Sequence, residues 1–321
     1  MKKIAVLADY LEPSHHALID STAARCGFAV DYYPDCRVPS ELAGTYEVVH
    51  GMPKPGDLKA FTGMKWFCGS FAGVDAYLDD ALYPSPEVML SNSSGTYGVT
   101  IAEHLIMVTL MLLRHAPAYL HHADAHRWGP VMPMRSIIGS TITVLGTGDI
   151  GTEFARRAKA MGAKAIRGVR RTKKAADPAF DGVFTHEELD SLLPDTDILV
   201  MALPSTADTV GILSRDRIAL LPETAYVVNV GRGTAIDQSA LVEALNAGKL
   251  AGAALDVFEK EPIPAGDPVW DAKNLLITPH ISGQMSLGYT RDKNVALFCE
   301  DLENYAAGRP LKRYVDRKIG Y

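Results

Sequence analysis

Residues 141 to 151 read Thr-Ile-Thr-Val-Leu-Gly-Thr-Gly-Asp-Ile-Gly. An apolar, β-branched run enters glycines at G-x-G-x-x-G spacing, and Glu153 to Gly162 then reads as a helix. Strand, glycine turn, helix is the order a dinucleotide-binding turn requires. Gly146 permits the tight turn, Gly148 lets the backbone approach a pyrophosphate, and Gly151 lets the helix pack close to its strand. The phosphates then meet unpaired N–H groups at the positive end of the helix. Asp149 and Ile150 lie inside the same turn, so they too count among the cofactor-binding candidates.

The rest of the chain is organised around this turn. Its 321 residues suggest about two domains. Strands at Ile4–Ala8, Ala29–Tyr33, Tyr46–His50, Lys65–Gly69 and Val88–Ser91 alternate with helices in the first hundred residues. The second set runs Thr141–Leu145, Ala165–Val169, Ile198–Ala202, Tyr226–Asn229, Gly252–Leu255 and Leu275–Thr278. Strands alternating with helices imply an α/β fold with parallel, doubly wound sheets. Val99–Tyr119 reads as one long, buried apolar helix, and Leu287–Ala307 as a closing one. The expected division is residues 1–97 plus 291–321 in one domain and 98–290, with the glycine turn, in the other.

A net charge of -6 and a pI near 5.9 argue against nucleic acid or an anionic membrane as partner. The apolar segment 101–113 is interrupted by Glu103 and His104 and is too short to span a bilayer. Cys26, Cys36, Cys68 and Cys299 lack C-x-x-C spacing, as expected of free thiols in a reducing, cytoplasmic setting. The histidines at 115, 121, 122 and 126 have no acid or cysteine at matching spacing. They read as a helix-end surface cluster, and no metal site is expected. Trp270 reads as core packing.

About twenty residues past the glycines, an Asp or Glu would bind the ribose hydroxyls of NAD. The chain instead reads Gly168-Val169-Arg170-Arg171-Thr172-Lys173-Lys174. A planar guanidinium bonds a phosphate twice, whereas a carboxylate would repel it. Arg170, Arg171 and Thr172 therefore point to NADP(H) as the preferred cofactor, with NAD(H) possible.

Three further stretches carry ionisable residues at strand ends, where doubly wound sheets keep their sites. They are Asn229-Val230-Gly231-Arg232-Gly233, Leu255-Asp256-Val257-Phe258-Glu259-Lys260-Glu261-Pro262, and Thr278-Pro279-His280-Ile281-Ser282-Gly283. Taken singly, each also fits a structural role.

Together with Gly69-Ser70-Phe71-Ala72-Gly73-Val74-Asp75, Ile101-Ala102-Glu103-His104 and Leu203-Pro204-Ser205-Thr206, these stretches resemble the D-2-hydroxyacid dehydrogenases. The chain looks most like their NADP-using glyoxylate/hydroxypyruvate reductases, and the resemblance runs along nearly the whole length. It implies two Rossmann/flavodoxin-like domains with the site in a cleft between them, and reduction of a small 2-oxo acid to the D-2-hydroxy acid. In that scheme Arg232 holds the carboxylate and carbonyl oxygens, and its charge stabilises the developing oxyanion. His280 is the general acid–base, and Glu261 pairs with it. Backbone N–H groups of Ala72 and Gly73 complete the carboxylate site. Apart from the resemblance, Met52, Phe71 and Met285 are expected to shape the substrate pocket, their bulk suiting a small or moderately apolar side chain. By the same resemblance Asp256 contacts the nicotinamide carboxamide, and Leu203, Pro204 and Thr209 line the adenosine side. Val230 and Gly283 complete the cofactor contacts, and a homodimer is expected. Asp149 departs from the family, which often has Arg there, and places a like charge near the pyrophosphate. Alternatives are a dinucleotide-sensing regulatory protein on the same fold and a D-3-phosphoglycerate dehydrogenase-like enzyme.

Overall fold

A computed structural model describes residues 1–173 and 177–321. Lys174, the last cation of the basic run, lies outside the described residues. The chain divides into two units, Met1–Tyr97 with Gln284–Tyr321, and Gly98–Gly283. By this division the first unit resumes at Gln284, seven residues before the expected 291. Met285 explains the difference, because it packs against the first unit's core.

The first unit is built on strands β1 (Lys2–Leu7), β2 (Phe28–Tyr32), β3 (Val48–Gly51), β4 (Trp66–Gly69) and β5 (Met89–Ser91). They form a parallel sheet of order β2-β1-β3-β4-β5. Strand β1 is apolar at consecutive positions because both faces of the sheet are covered. Ile4 and Val6 enter one core, and Ala5 and Leu7 the other. Helices α1 (Pro13–Arg25) and α9 (Gly288–Ala306) cover the first face with Ile19, Ala23, Val295, Phe298 and Leu302. A short α2 (Ser40–Ala43) precedes β3.

The second unit opens with α3 (Gly98–Leu113) and α4 (Ala116–Asp124). The sequence suggested one helix to Tyr119, but the two are bent by 69°. Pro117 has no N–H to offer the carbonyl of Leu113, and its ring would clash there. The N–H of Arg135 takes that carbonyl instead, at 3.0 Å, and His115 turns the chain with φ 54°. Among the described residues no single helix is long and apolar enough to cross a membrane.

The alternation then runs β6 (Thr141–Leu145), α5 (Asp149–Ala160), β7 (Ala165–Val169), β8 (Gly182–Phe184), α6 (Leu189–Leu192), β9 (Ile198–Met201), α7 (Arg215–Leu220), β10 (Tyr226–Asn229), α8 (Gln238–Asn246), β11 (Gly252–Leu255) and β12 (Leu275–Ile277). The sheet is parallel, in the order β12-β11-β10-β9-β6-β7-β8. Strand β8 was not anticipated. It is a half-buried three-residue edge strand, too short to show a pattern. The strand order reverses at β6, flanked by β7 and β9, and ligands of such sheets bind outside the carboxyl ends at that point.

Candidate active site

The strand order turns scattered sequence motifs into one row. Along the carboxyl edge of the second sheet stand His280 after β12, Asp256 after β11, Arg232 after β10 and Leu203 after β9. The glycine turn follows β6, and Arg170 and Arg171 follow β7.

The three glycines of the turn do different things. Gly146 has φ 103°, and a Cβ there would come 2.6 Å from the carbonyl oxygen of Ala202. A Cβ on Gly151 would lie 1.9 Å from the carbonyl oxygen of Gly146, so helix α5 can pack here only against glycine. Gly148 differs, since a Cβ on it would meet nothing within 4 Å. The protein's own packing does not demand that glycine. It caps α5, and its bare backbone leaves open a cradle that fits a pyrophosphate. Helix α5 starts inside the turn, at Asp149, with Ile150 next. The carboxylate of Asp149 abuts Gly98, where a Cβ would come 2.4 Å from Oδ1. An acid so placed is favoured by the positive N-terminal ends of both α3 and α5.

Arg232 sits between two glycines because both flanks are crowded. A Cβ on Gly231 would strike Leu203 backbone at 2.6 Å, and one on Gly233 would strike the Phe258 carbonyl carbon at 1.9 Å. Asn229, fully buried, fixes this turn from below. Its Oδ1 accepts the N–H of Gly231 at 2.9 Å, and its Nδ2 donates to the carbonyl of Arg232 at 2.9 Å. Sequence reading passed over Asn229, although an Asn two residues before a glycine is itself a turn signal. Arg232 is half-buried and donates to the Gly231 carbonyl at 2.7 Å. Val230, beside it, is buried.

His280 occupies the left-handed region, φ 53°. Its Nδ1 lies 2.7 Å from Oε2 of Glu261, whose Oε1 accepts the Phe258 N–H at 2.9 Å. Both side chains are partly exposed. Asp256 holds the turn on which His280 rides. Only 1% exposed, its carboxylate accepts from the Thr278 hydroxyl at 2.6 Å, the Ile281 N–H at 2.9 Å and the Ser282 N–H at 3.0 Å. Three of about four acceptor positions on the carboxylate are therefore taken by the loop that carries His280. Gly283 follows Ser282 directly. Thr278 also lies 3.4 Å from Nε2 of His104 on α3, a histidine whose pKa is lowered by burial and raised in part by Asp256.

On the other side of the turn, Arg170 is half-buried and Arg171 and Thr172 are exposed. The Arg170 N–H donates to the Phe184 carbonyl at 3.0 Å, which joins the ends of β7 and β8. Leu203 is buried and Pro204 exposed. Thr209 faces inward. Its hydroxyl donates to the Pro204 carbonyl at 2.6 Å and accepts the Thr206 N–H at 2.8 Å, so it shapes the loop.

In the first unit, Ala72 and Gly73 are half-buried on the loop after β4, and Met52 is exposed after β3. Phe71 stacks on Tyr77, with ring centroids 4.5 Å apart. Two side chains fall elsewhere than expected. Met285 lies against the core, and Trp270 is 49% exposed, donating from Nε1 to the Pro264 carbonyl at 2.9 Å. Its indole caps a short surface turn instead of filling the core.

Residues 106–282 match the family model described as D-isomer specific 2-hydroxyacid dehydrogenase, NAD binding domain. A glyoxylate/hydroxypyruvate reductase A from Klebsiella pneumoniae strain 342 is 31% identical over 257 residues, covering 78% of this chain and 80% of the relative. A D-isomer specific 2-hydroxyacid dehydrogenase from Xanthobacter autotrophicus, solved with NADPH and MES, aligns with TM-score 0.82 and 28% identity over 100% of this chain and 99% of that one. An NADPH-dependent glyoxylate/hydroxypyruvate reductase from Sinorhizobium meliloti, solved with NADP and sulfate, aligns with TM-score 0.81 and 26% identity over 100% of both chains. Sequence, fold and the strand-end row agree, and the chain belongs to the D-isomer specific 2-hydroxyacid dehydrogenase family.

Proposed function

We propose that the protein is an NADPH-preferring reductase of a small 2-oxo acid of the glyoxylate or hydroxypyruvate kind, giving the D-2-hydroxy acid. The observation that carries this reading is the His280–Glu261 pair, at 2.7 Å, on the same carboxyl edge as Arg232 and the glycine turn. The reduced nicotinamide supplies the hydride that reaches the C2 carbon. Arg232 holds the carboxylate and carbonyl oxygens with its fork and offsets negative charge gathering on the carbonyl oxygen. Nδ1 of His280 is committed to Glu261, so proton transfer to that oxygen falls to Nε2. Glu261 fixes the ring's orientation through that contact.

The Gly148 backbone and the start of α5 hold the pyrophosphate, with Asp149, Ile150 and Gly151 completing that turn. Arg170, Arg171 and Thr172 hold a 2′-phosphate, and NADH serves as the poorer donor. Leu203, Pro204, Thr209 and Val230 line the cofactor side, and the last acceptor position of Asp256 suits a carboxamide N–H beside Gly283. The first unit's contribution is the amides of Ala72 and Gly73 and the side chain of Met52. Glyoxylate, hydroxypyruvate, pyruvate and 2-oxoisovalerate, each tried with NADPH and NADH, test this reading. NADPH oxidation with one of the first two is expected, and absence of oxidation with all four rejects it.

A homodimer is part of the proposal. Leu120, Trp128, Val131, Met134 and Ile138 all expose apolar side chains within one stretch of the second unit, an arrangement typical of surfaces that bury against a partner. Light scattering that returns the 34.7 kDa single chain would overturn this part.

A further inference from the structure

The loop after β4 is shaped by residues that lie far from it in sequence. Gly69 lets it double back, because the Phe71 ring lies where a Cβ would sit, 2.5 Å away. The Tyr97 hydroxyl donates to the Ser70 carbonyl at 2.6 Å. The next two carbonyls both turn toward the segment that follows β5. That of Phe71 accepts the Ser93 N–H at 2.9 Å, and that of Ala72 accepts Nδ2 of Asn92 at 2.7 Å.

The consequence follows from peptide planarity. The cis peptide recorded in the chain is Glu261–Pro262, so both of these peptides are trans. In a trans peptide the N–H points opposite to the C=O. With both carbonyls drawn to the Asn92–Ser93 segment, the N–H groups of Ala72 and Gly73 face the opposite side together. Among the described residues neither amide donates to a protein group. Successive backbone N–H groups with a common direction form an anion-binding nest.

The segment that sets this direction is itself anchored. Asn92 is 7% exposed and Ser93 3%. Oδ1 of Asn92 accepts the Ser94 N–H at 3.1 Å, which fixes its side-chain rotamer. The Asn92 N–H donates to the Arg313 carbonyl at 3.2 Å. The Ser93 hydroxyl donates to the Gly69 carbonyl at 2.8 Å and accepts from Nδ2 of Asn294 at 2.6 Å. Oδ1 of Asn294 lies 2.7 Å from the Tyr10 hydroxyl, which is also 2.7 Å from Ser70 Oγ. Buried networks with every member satisfied hold one geometry.

We propose that Asn92 is a positioning residue for substrate: by holding the Ala72 carbonyl, alongside the Ser93 N–H on Phe71, it aims the Ala72 and Gly73 amides at the substrate carboxylate. The proposal rests on the 2-oxo-acid reading, and its test separates the two. Asn92→Leu keeps the approximate size and adds no charge but removes the donor. Oxalate binding to the NADPH-loaded protein, followed by calorimetry, reports the nest without turnover, and steady-state kinetics report it with turnover.

The expected result is an oxalate Kd and a 2-oxo-acid KM raised about tenfold in Asn92→Leu, the scale of one net hydrogen bond. NADPH KM stays unchanged and kcat within twofold. Asn92→Ser, also lacking the amide donor, repeats the measurement if the leucine variant does not fold. An oxalate Kd in the folded Asn92 variants within twofold of the wild type, or no oxalate binding by the wild type, overturns the positioning role. Oxalate binding that weakens as expected, without oxidation of NADPH by any 2-oxo acid, instead overturns the functional reading and leaves the nest standing.

Discussion

Nδ1 of His280 stands 2.7 Å from Oε2 of Glu261, and Oε1 of the same carboxylate accepts the Phe258 N–H at 2.9 Å. Glu261 is thus anchored on one side and holds the imidazole with the other. Glu261→Gln keeps an acceptor for Phe258 but faces the ring with an amide. The expected outcome is a kcat lower by about 10- to 100-fold, part of the general acid–base contribution, with NADPH affinity unchanged. Steady-state kinetics beside a fluorescence titration of NADPH check it.

The glycine turn separates packing from ligand binding. Gly151→Ala would place a Cβ 1.9 Å from the Gly146 carbonyl oxygen, whereas Gly148→Ala would meet no protein atom within 4 Å. Gly151→Ala is expected to destabilise the fold by about 1–3 kcal/mol or more. Gly148→Ala should melt like the wild type and raise the NADPH KM about tenfold. Wild-type NADPH affinity in Gly148→Ala would remove the pyrophosphate from that cradle.

Arg171 tests cofactor choice. Loss of a charge-assisted hydrogen bond removes about 1.5–3 kcal/mol, roughly 10- to 100-fold in affinity. Arg171→Ala should raise the NADPH KM on that scale and leave the NADH KM within twofold. Equal losses with both cofactors would count against 2′-phosphate recognition at this position.

His50 gives the protein an acid-side weakness. It is wholly buried on β3 and stacked on Phe298 at 3.9 Å, and burial pushes its pKa down to about 4. Above the unfolded value near 6.5 the ring is neutral in both states and costs nothing. As pH falls below about 6.5 the unfolded chain takes up a proton that the folded chain refuses, so stability declines until about pH 4. The full drop is about 3 kcal/mol. Denaturant titrations of the wild type and His50→Phe between pH 7 and 4 should show a steeper decline in the wild type. Parallel declines would contradict this.

Much of the second unit was legible because its signals are local. The run into Gly146, the flanked Arg232 and the post-strand His280 each announce a strand end, and the row they form follows from parallel topology. What sequence reading missed depends on partners distant in the chain. That Asp256 holds the His280 turn rests on donors 22 to 26 residues away, and the Asn92–Ala72 contact joins segments twenty residues apart. Asp149 was read as a charge near the pyrophosphate, but its contact with Gly98 shows why an acid suits two helix ends. The break at His115 was written in Pro117, yet the apolar pattern on both sides masked it. Trp270 reads as core packing in sequence, but its indole N–H has a surface carbonyl to satisfy it.

The most direct measurement is single-turnover NADPH oxidation by His280→Ala with the best 2-oxo acid of the wild type, alongside the NADPH Kd. The account predicts a hydride-transfer rate lower by about 10²–10⁴-fold with cofactor binding intact. A near-wild-type rate in that variant would contradict it.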